Sequence, residues 1–402
     1  MGLMRGCIAL GEAGVSPTPN TQSLRTKAVR DDIIATGTTC VRLWALWNRC
    51  QPSAPAAGAT VADNWAAIAA TADAQALDQE IAWARSMGLV VVLTSQGSPS
   101  WANGTTGYTN TTAAEDRFGS KAAYDAYVAG TGSTGKSLQY RFPTSWSTSS
   151  PWGIWMAYLC CRYGALQPDP NLRVDYLEPL NEPNYQMWPQ QQASTTGNIW
   201  DPGANTSVCT SAQMIQTAQS MQAFWSGPVL LVPAASDTDD STTRYRTLGT
   251  TFESSMMSQL VTNGFVPNAR VGWSKHNYAD MKHGSFGDAV NLAWTASLVH
   301  GSGGYWTGYP LGVPASSEVL VTEGGWVRHG SMPDYDQEQR MISSAVAATG
   351  VSKVTMFAQY LITSSTGYDS GLRSPFGGAY LSYVAWQALH TGVSGGFPQC
   401  LV

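Results

Sequence analysis

Two glutamates in this sequence each stand at the end of a short apolar run. Glu182 closes a run in the stretch 176–184, which reads Tyr-Leu-Glu-Pro-Leu-Asn-Glu-Pro-Asn, and Glu323 closes a second run in the stretch 318–325. Two carboxyl groups that face each other across a cleft can break a sugar bond, because one protonates the leaving oxygen while the other attacks the anomeric carbon. The fold must therefore bring these two distant glutamates together.

Short apolar runs alternate with helical patterns along the whole chain. Runs that are apolar on both faces and separated by helices are typical of a parallel sheet that is covered on both sides. Eight strand–helix units in 402 residues favour a (β/α)8 barrel over an open doubly wound sheet. No Gly-X-Gly-X-X-Gly or Walker-type loop follows the first run, which argues against nucleotide-binding folds. The predicted strands are Gly6–Leu10, Thr39–Trp44, Leu89–Thr94, Val174–Leu180, Val229–Pro233, Arg270–Tyr278, Val319–Thr322 and Lys353–Leu361.

The chain shows no linker and no internal repeat, so we expect a single (β/α)8 catalytic domain over residues 1–402. One long helix is predicted over 63–87, between the second and third strands. The loops after strands three and four are predicted to be long. The first of them, 95–149, is rich in Ser, Thr and Gly, and a short helix is predicted within it at 121–128.

In such a barrel the active site lies at the carboxyl ends of the strands, where both glutamates are predicted to fall, after strands four and seven. Strand alternation places Glu178, Leu180 and Glu182 on the same face. Bond cleavage requires one carboxyl group to be protonated and the other ionised, so their surroundings must separate the two pKa values. Glu178 is predicted to lie deeper in the barrel and to pair with an arginine.

The motifs around both glutamates resemble clan A of the glycoside hydrolases, which are retaining (β/α)8 enzymes with cellulase-like, xylosidase-like and mannanase-like families. The matching motifs are Asn181-Glu182 on strand four and Thr322-Glu323-Gly324 on strand seven. The resemblance covers nearly the whole barrel in order and spacing. It implies an O-glycosidase in which Glu182 is the acid/base and Glu323 is the nucleophile of a double displacement through a covalent glycosyl-enzyme.

The same resemblance suggests supporting roles near the glutamates. Asn181 is expected to hydrogen-bond the sugar 2-hydroxyl. Arg42, in Cys40-Val-Arg-Leu-Trp44 on strand two, is expected to hydrogen-bond the nucleophile and keep it ionised. On strand six, His276 and Tyr278 are expected to share one face, with Tyr278 donating to Glu323 and His276 lining the same subsite.

Further candidates for substrate binding come from residue type and position. Sixteen Trp and 17 Tyr against nine Phe favour rings with a polar group, which suit the stacking of sugars. Glu12, Gln96 and Tyr360 stand at the ends of strands one, three and eight, where their side chains can bind hydroxyls. Five tryptophans lie in loops after strands two, three, four and seven; two or three of them are expected to stack on sugars and the others to pack: Trp44, Trp47, Trp101, Trp188 and Trp326.

The composition of the chain limits the kinds of molecule that we expect it to bind. The chain is 43% hydrophobic and 12% charged, with a net charge of −5, so we expect a neutral carbohydrate substrate and no nucleic-acid or membrane partner. No metal or cofactor is expected, because the five His form no His-Glu-X-X-His motif and Asp237–Asp240 lacks calcium-loop spacing. The amino terminus shows no signal-peptide layout, so the compartment stays open between secretion with a trimmed signal and the cytoplasm. Seven Cys imply at least one thiol without an intramolecular partner.

Two alternatives remain open at this level. A transglycosylase could use the same carboxylate pair, and an inactive carbohydrate-binding barrel could share the fold. Many clan members carry a histidine at the end of strand three and a tryptophan at the end of strand eight. This sequence has neither, which leaves the sugar and its linkage open. Endo or exo action and the oligomeric state are not indicated by the sequence.

Overall fold

In the computed structural model, eight parallel strands close into a barrel in the order of the chain, so the predicted (β/α)8 fold is confirmed. The strands are β1 Arg5–Ala9, β2 Cys40–Leu46, β3 Val90–Gln96, β4 Tyr176–Glu178, β5 Val229–Val232, β6 Val271–His276, β7 Val319–Glu323 and β8 Val354–Tyr360. The structure describes residues 4–11, 18, 20–104, 142–183, 207–235, 249–265, 267–268, 270–283, 287–300, 317–328, 333–364 and 369–391.

Parallel pairing continues around the whole barrel. Cys7 of β1 pairs with Cys40 of β2 on one side and with Ala358 of β8 on the other, which closes the ring. All seven residues of β2 and all five of β7 are buried, as expected for strands covered on both faces. The carboxyl ends of all eight strands therefore meet at one end of the barrel.

Helices surround the barrel and alternate with its strands. None of those in the described ranges is long and apolar enough to cross a bilayer. The helices are Lys27–Ala35, Trp47–Cys50, Val61–Ala69, Ala72–Ser86, Ser100–Asn103, Pro151–Tyr163, Ser207–Trp225, Gly249–Thr262, Tyr278–Lys282, Val290–His300, Pro333–Thr349 and Leu381–Thr391.

The single helix predicted over 63–87 is wrong, because two helices, Val61–Ala69 and Ala72–Ser86, occupy this part of the chain. Thr71 lies between them. Its Oγ1 accepts the backbone N–H of Ala74 at 3.3 Å and donates to the carbonyl oxygen of Ile68 at 2.8 Å. This hydroxyl caps the second helix and competes with helical bonding at the junction. The helix predicted at 121–128 lies outside the described residues.

A buried ion pair joins the outer face of β6 to the surrounding helices. Nζ of Lys275 lies 3.0 Å from Oε1 of Glu253, and both side chains are fully buried. The other carboxylate oxygen of Glu253 accepts from Oγ1 of Thr295 at 2.8 Å. Because Glu253 and Thr295 belong to different helices, this pair fixes two helices against one strand.

Candidate functional site

Glu323 is the last residue of β7, and its carboxylate is held from two sides. Nη1 of Arg42, on β2, donates to Oε2 at 2.9 Å, and the hydroxyl of Tyr278 donates to Oε1 at 2.6 Å. At Gly324, which follows, an added Cβ would lie 1.7 Å from Oδ1 of Asn277. A side chain at position 324 would therefore force the Asn277 side chain to move away from the end of β6.

Glu182 follows the end of β4, and its backbone has a φ of 43°. Residues with side chains rarely occupy this left-handed region, which costs about 1–3 kcal/mol and is found most often at functional sites. Oε1 of Glu182 lies 2.9 Å from Nδ1 of His276, the last residue of β6. The other ring nitrogen, Nε2, lies 3.4 Å from Oε2 of Glu323, outside hydrogen-bond geometry. One imidazole thus contacts both glutamates.

Arg42 is fully buried and is shared among three acceptor side chains, one of which is the β7 glutamate. Its Nε and Nη2 donate to Oε2 of Glu178 at 3.2 and 2.8 Å, and Nη2 also donates to Oδ1 of Asn181 at 2.7 Å. Glu178 accepts further bonds from Oγ1 of Thr94 at 2.8 Å and from the backbone N–H of Ala234 at 3.2 Å. The predicted pairing of Glu178 with an arginine is therefore confirmed, and it fixes the guanidinium in place.

Burial and neighbouring charges act in opposite directions on the carboxyl groups of this cluster. Burial raises the pKa of Glu323 above its ordinary value, although His276 and Arg42 oppose the rise. The charge of Glu182 adds to the increase. Burial would also raise the pKa of Glu178, but Arg42 and His276 hold it below its ordinary value. Arg42 thus favours the ionised form of Glu323 as predicted, but burial outweighs its effect.

Tyr278 does not lie on strand six, so the prediction that it shares a strand face with His276 is wrong. Strand β6 ends at His276, and Asn277, with a ψ of 31°, leaves the extended conformation. Tyr278 begins the helix Tyr278–Lys282. The turn nevertheless carries the tyrosine hydroxyl to Glu323, so the predicted hydrogen bond is present although the backbone route to it differs.

The amide of Asn181 is oriented by its arginine contact. A guanidinium can only donate hydrogen bonds, so the atom that faces Arg42 is the amide oxygen of Asn181. The amide nitrogen then remains as the group that can donate to a substrate. The predicted contact of Asn181 with a sugar 2-hydroxyl requires this donor, and it stays a prediction.

The tryptophans on β2, after β2 and after β3 differ in their access to solvent. Trp44 lies within β2, so the prediction that it stands in the loop after this strand is wrong. Trp47 has no exposed surface and stacks on Trp155, with ring centroids 6.0 Å apart and planes inclined by 10°. The proposed stacking of Trp47 on a sugar is therefore wrong, because both sides of a fully buried ring are already in contact with protein. Trp44 is 3% exposed, and Cζ of Arg42 lies 4.5 Å from its ring centroid. Trp101 is partly exposed and meets Trp47 edge-on at 6.1 Å.

Trp326, after β7, is partly exposed but fixed against a helix. Cζ of Arg340 lies 4.3 Å from the ring centroid, and Nε1 of the indole donates to Oδ2 of Asp336 at 2.5 Å. Both partners belong to the helix Pro333–Thr349. One face of this ring is therefore occupied by a guanidinium, which leaves at most the other for a sugar.

The remaining candidates lie at strand ends or outside the described part of the chain. Gln96 ends β3 with 6% of its surface exposed, and Tyr360 ends β8 with part of its side chain exposed. Both positions agree with those expected from the sequence. Glu12 and Trp188 lie outside the described residues, so their binding roles stay predictions.

Sequence reasoning did not single out Thr94, which donates to Glu178 and so helps to hold the charge cluster. A signal was present, because alternation along β3 places Thr94 on the same face as Gln96. The identity of its partner was not predictable, since that depends on the pairing of Thr94 with Glu178 between β3 and β4.

The ionisable side chains of the site pair with one another. Across the described ranges, no group of three or more His, Cys, Asp or Glu side chains could hold a metal ion. Arg42 donates to two carboxylates, and His276 contacts two. We therefore assign none of these residues to a metal or cofactor.

The fold and the site together define a (β/α)8 barrel in which two strand-end glutamates share one histidine above a buried arginine. Glycoside hydrolases with this barrel are among the solved structures that resemble it, so the resemblance predicted from the sequence is confirmed at the level of the fold. The sequence matches no family model and shows no significant similarity to a curated protein.

Three solved structures illustrate the likeness. A family 39 glycoside hydrolase from Bacteroides cellulosilyticus WH2 aligns with a TM-score of 0.55 at 13% identity over 97% of this chain and 64% of the other, so this chain spans less than two thirds of that protein. Fpglu1 from Fervidobacterium pennivoraus aligns at 0.54 and 13% identity, over 92% and 83%. A triple mutant of the endo-beta-1,4-glucanase Xac0030 from Xanthomonas axonopodis pv. citri aligns at 0.52 and 12% identity, over 96% and 99%.

The shared imidazole predicts an unusual titration of His276. Burial opposes its charged form, yet contact with Glu323 and Glu182 raises the pKa of His276 above its ordinary value. The folded protein should therefore hold this proton at pH values where a free histidine, with a pKa of about 6.5, loses it. The contribution to stability is complete below that value and is lost as the pH rises through the folded-state pKa. NMR titration of histidine-labelled protein measures the midpoint.

Two variants provide the control for this titration. Glu323→Gln and Glu182→Gln each remove one of the two carboxyl groups that contact His276, so each should lower its midpoint. A wild-type midpoint below about 6.5, or a midpoint that neither substitution moves, contradicts the assigned contacts.

Proposed function

We propose that the protein is a retaining glycoside hydrolase that cleaves O-glycosidic bonds of a neutral oligo- or polysaccharide by double displacement. The observation that carries this proposal is the unequal environment of two glutamates in contact with one imidazole. Glu323 lies beside the permanent cation of Arg42 and accepts a hydrogen bond from Tyr278, whereas Glu182 is in hydrogen-bond contact with the titratable His276. The likeness to glycoside hydrolase barrels supports a glycosidase in general.

In the first step, a carboxylate oxygen of Glu323 attacks the anomeric carbon, and the bond between this carbon and the leaving oxygen breaks. The electron pair of that bond goes to the leaving oxygen, which takes a proton from Glu182. Arg42 and Tyr278 orient the attacking carboxylate through one bond to each of its oxygens. The product of this step is a glycosyl ester of Glu323.

In the second step, Glu182 acts as a base and takes a proton from a water molecule. The water oxygen attacks the anomeric carbon, and the ester bond to Glu323 breaks. Because both steps invert this carbon, the sugar is released with its original configuration. Glu182 must change its protonation state once in each direction, which fits a side chain whose neighbour, His276, can itself gain or lose a proton.

A neutral substrate is supported by the hydrogen bonds of the buried Arg42, which are made to side chains of the protein itself. The guanidinium of Arg42 donates to Glu178, Glu323 and Asn181, so its charge is engaged inside the protein. Partly exposed Trp101, after β3, offers an aromatic surface suited to the C–H face of a sugar.

A screen of aryl glycosides in both anomeric forms, with pyranosides, pentofuranosides and a polysaccharide panel, tests the proposal. We expect hydrolysis of at least one neutral glycoside, and NMR of the first product should show the anomer of the substrate. Initial release of the opposite anomer contradicts the retaining mechanism. Saccharide binding without turnover indicates a binding barrel, and transfer to an added oligosaccharide in preference to water indicates a transglycosylase.

A further inference from the structure

The side chain of Gln96 is buried at the end of β3, and its amide makes no hydrogen bond to the residues that the structure describes. It is 6% exposed, and in the described part of the chain neither Nε2 nor Oε1 has a hydrogen-bond partner. Two residues further on, Oγ of Ser98 is likewise buried without a partner. Buried polar groups that lack hydrogen bonds oppose folding, so an apolar residue would serve the fold better at position 96.

Strand alternation shows where the Gln96 amide points. Thr94 faces the barrel interior, because its hydroxyl donates to Glu178 at 2.8 Å. Ser95 faces outward, where its Oγ accepts from Nε1 of Trp155 at 2.9 Å. Gln96 therefore faces inward again, one layer closer to the carboxyl ends of the strands than Thr94. This layer is at the mouth of the barrel, where the two glutamates lie.

The neighbour of Gln96 on the adjacent strand cannot satisfy the amide. In the register of β2 and β3, Thr94 lies beside Trp44 and Gln96 lies beside Leu46, whose side chain is apolar. Thr94, by contrast, has Glu178 opposite it on β4. On the inward face of β3, Thr94 is therefore hydrogen-bonded, whereas the Gln96 amide, one layer closer to the mouth of the barrel, is not.

We propose that Gln96 binds a pair of adjacent hydroxyl groups on the sugar held at Glu182 and Glu323. This inference rests on the proposed glycosidase function and adds the specificity of that site. A carboxamide presents one donor and one acceptor side by side, and two neighbouring hydroxyls can satisfy both. A neutral sugar with free vicinal hydroxyls is therefore the favoured occupant, and an analogue that lacks one of them leaves a buried amide atom unpaired again.

The substitution Gln96→Leu separates this role from a structural one. Leucine removes two unsatisfied polar atoms, so the thermal midpoint should stay the same or rise, while kcat/KM for the best neutral glycoside falls by roughly 10- to 100-fold. Wild-type protein should discriminate against one monodeoxy analogue of that glycoside, and the variant should lose most of this discrimination. Gln96→Met is the second variant, and it is measured in the same way.

Gln222→Leu is the matched control, because Gln222 is also a buried glutamine but uses its amide inside the protein. Its Nε2 donates to the backbone carbonyls of Pro228 at 2.8 Å and Arg270 at 2.7 Å. This control should lower the thermal midpoint and leave kcat/KM within about twofold of wild type. Gln96→Leu should therefore lower kcat/KM without lowering the thermal midpoint, whereas Gln222→Leu should lower the thermal midpoint without lowering kcat/KM.

The outcomes separate this inference from the proposed function. If wild-type protein hydrolyses a glycoside but Gln96→Leu keeps its kcat/KM and its discrimination against monodeoxy analogues, the assignment of Gln96 is overturned and the glycosidase stands. A lower thermal midpoint with unchanged kinetics overturns it as well. If wild-type protein hydrolyses none of the glycosides, calorimetric binding of neutral disaccharides replaces the kinetics. Equal affinity of wild type and Gln96→Leu, or no binding to either, then overturns the assignment.

Discussion

Replacing Glu323 with alanine is expected to lower kcat for an activated aryl glycoside by on the order of 10⁶-fold, the scale seen when a covalent nucleophile is removed. Sodium azide should restore turnover, because the shorter side chain leaves room for a small anion beside the anomeric carbon. Azide then attacks this carbon, the aryl oxide leaves, and the product is a glycosyl azide of the opposite anomeric configuration. NMR of the product identifies the anomer.

Glu182→Ala is the companion variant, and its azide product distinguishes the two roles. An activated aryl oxide can leave without a proton from the protein, so the glycosyl ester on Glu323 still forms. Azide then displaces Glu323 and gives a glycosyl azide with the configuration of the substrate. If each variant gives the anomer expected of the other, the assigned roles of Glu182 and Glu323 are exchanged.

Glu318→Ala is the control for both variants. Glu318 immediately precedes β7, at the opposite end of the strand from Glu323, and its carboxylate accepts hydrogen bonds from Tyr176 at 2.8 Å and Thr355 at 3.2 Å. Its loss should reduce stability but leave kcat within a few-fold of wild type and produce no glycosyl azide. Equal losses of activity in Glu318→Ala and Glu323→Ala would show that the effect comes from the strand and not from the nucleophile.

Breaking the buried ion pair outside the barrel is expected to have the largest effect on stability. Lys275→Met leaves the carboxylate of Glu253 fully buried without its cation, which should lower the free energy of unfolding by about 3–5 kcal/mol. The double variant Lys275→Met/Glu253→Gln removes both charges and keeps an oxygen that can accept from Thr295. It should recover most of the loss. Urea-induced unfolding, followed by fluorescence, measures the free energy of unfolding of the wild type, the single variant and the double variant.

The exposed pair Lys27–Asp31 is the control for burial. Its atoms lie 2.6 Å apart, closer than in the buried pair, but the two side chains are 79% and 56% exposed. Solvent screening makes such pairs weak, so Lys27→Met should change the free energy of unfolding by less than about 1 kcal/mol. If the cost of burying an unpaired charge is as assigned, Lys27→Met and Lys275→Met should lose unequal amounts of unfolding free energy. Equal losses, or a double variant that is less stable than Lys275→Met, would contradict this cost.

The positions of the two glutamates at the ends of strands could be predicted because each depends on a pattern within a few neighbouring residues. An apolar run predicts a buried strand, and the residue that closes it falls at the barrel mouth once the strands are parallel. Glu182 and Glu323 needed nothing more than these two rules and the rank of their strands. Helix boundaries do not follow from this pattern. The apolar pattern continues through Thr71, but the Thr71 hydroxyl bonds to the backbone there and the first helix ends.

The partners of the side chains were decided by the tertiary structure. Arg42 bonds residues 136, 139 and 281 positions away in the sequence, and no local pattern encodes such distances. Packing against Trp155 buries Trp47, and the register of β2 and β3 leaves the Gln96 amide beside an apolar neighbour.

The sequence by itself therefore determined the barrel and the two carboxyl groups at its mouth, because apolar periodicity and strand order are local properties of the chain. Only the tertiary structure placed one imidazole, His276, in contact with both glutamates and carried the hydroxyl of Tyr278 to Glu323 from a helix. The physical reason is that burial and neighbouring charge set the protonation of these groups, and both depend on strands that meet only when the barrel closes.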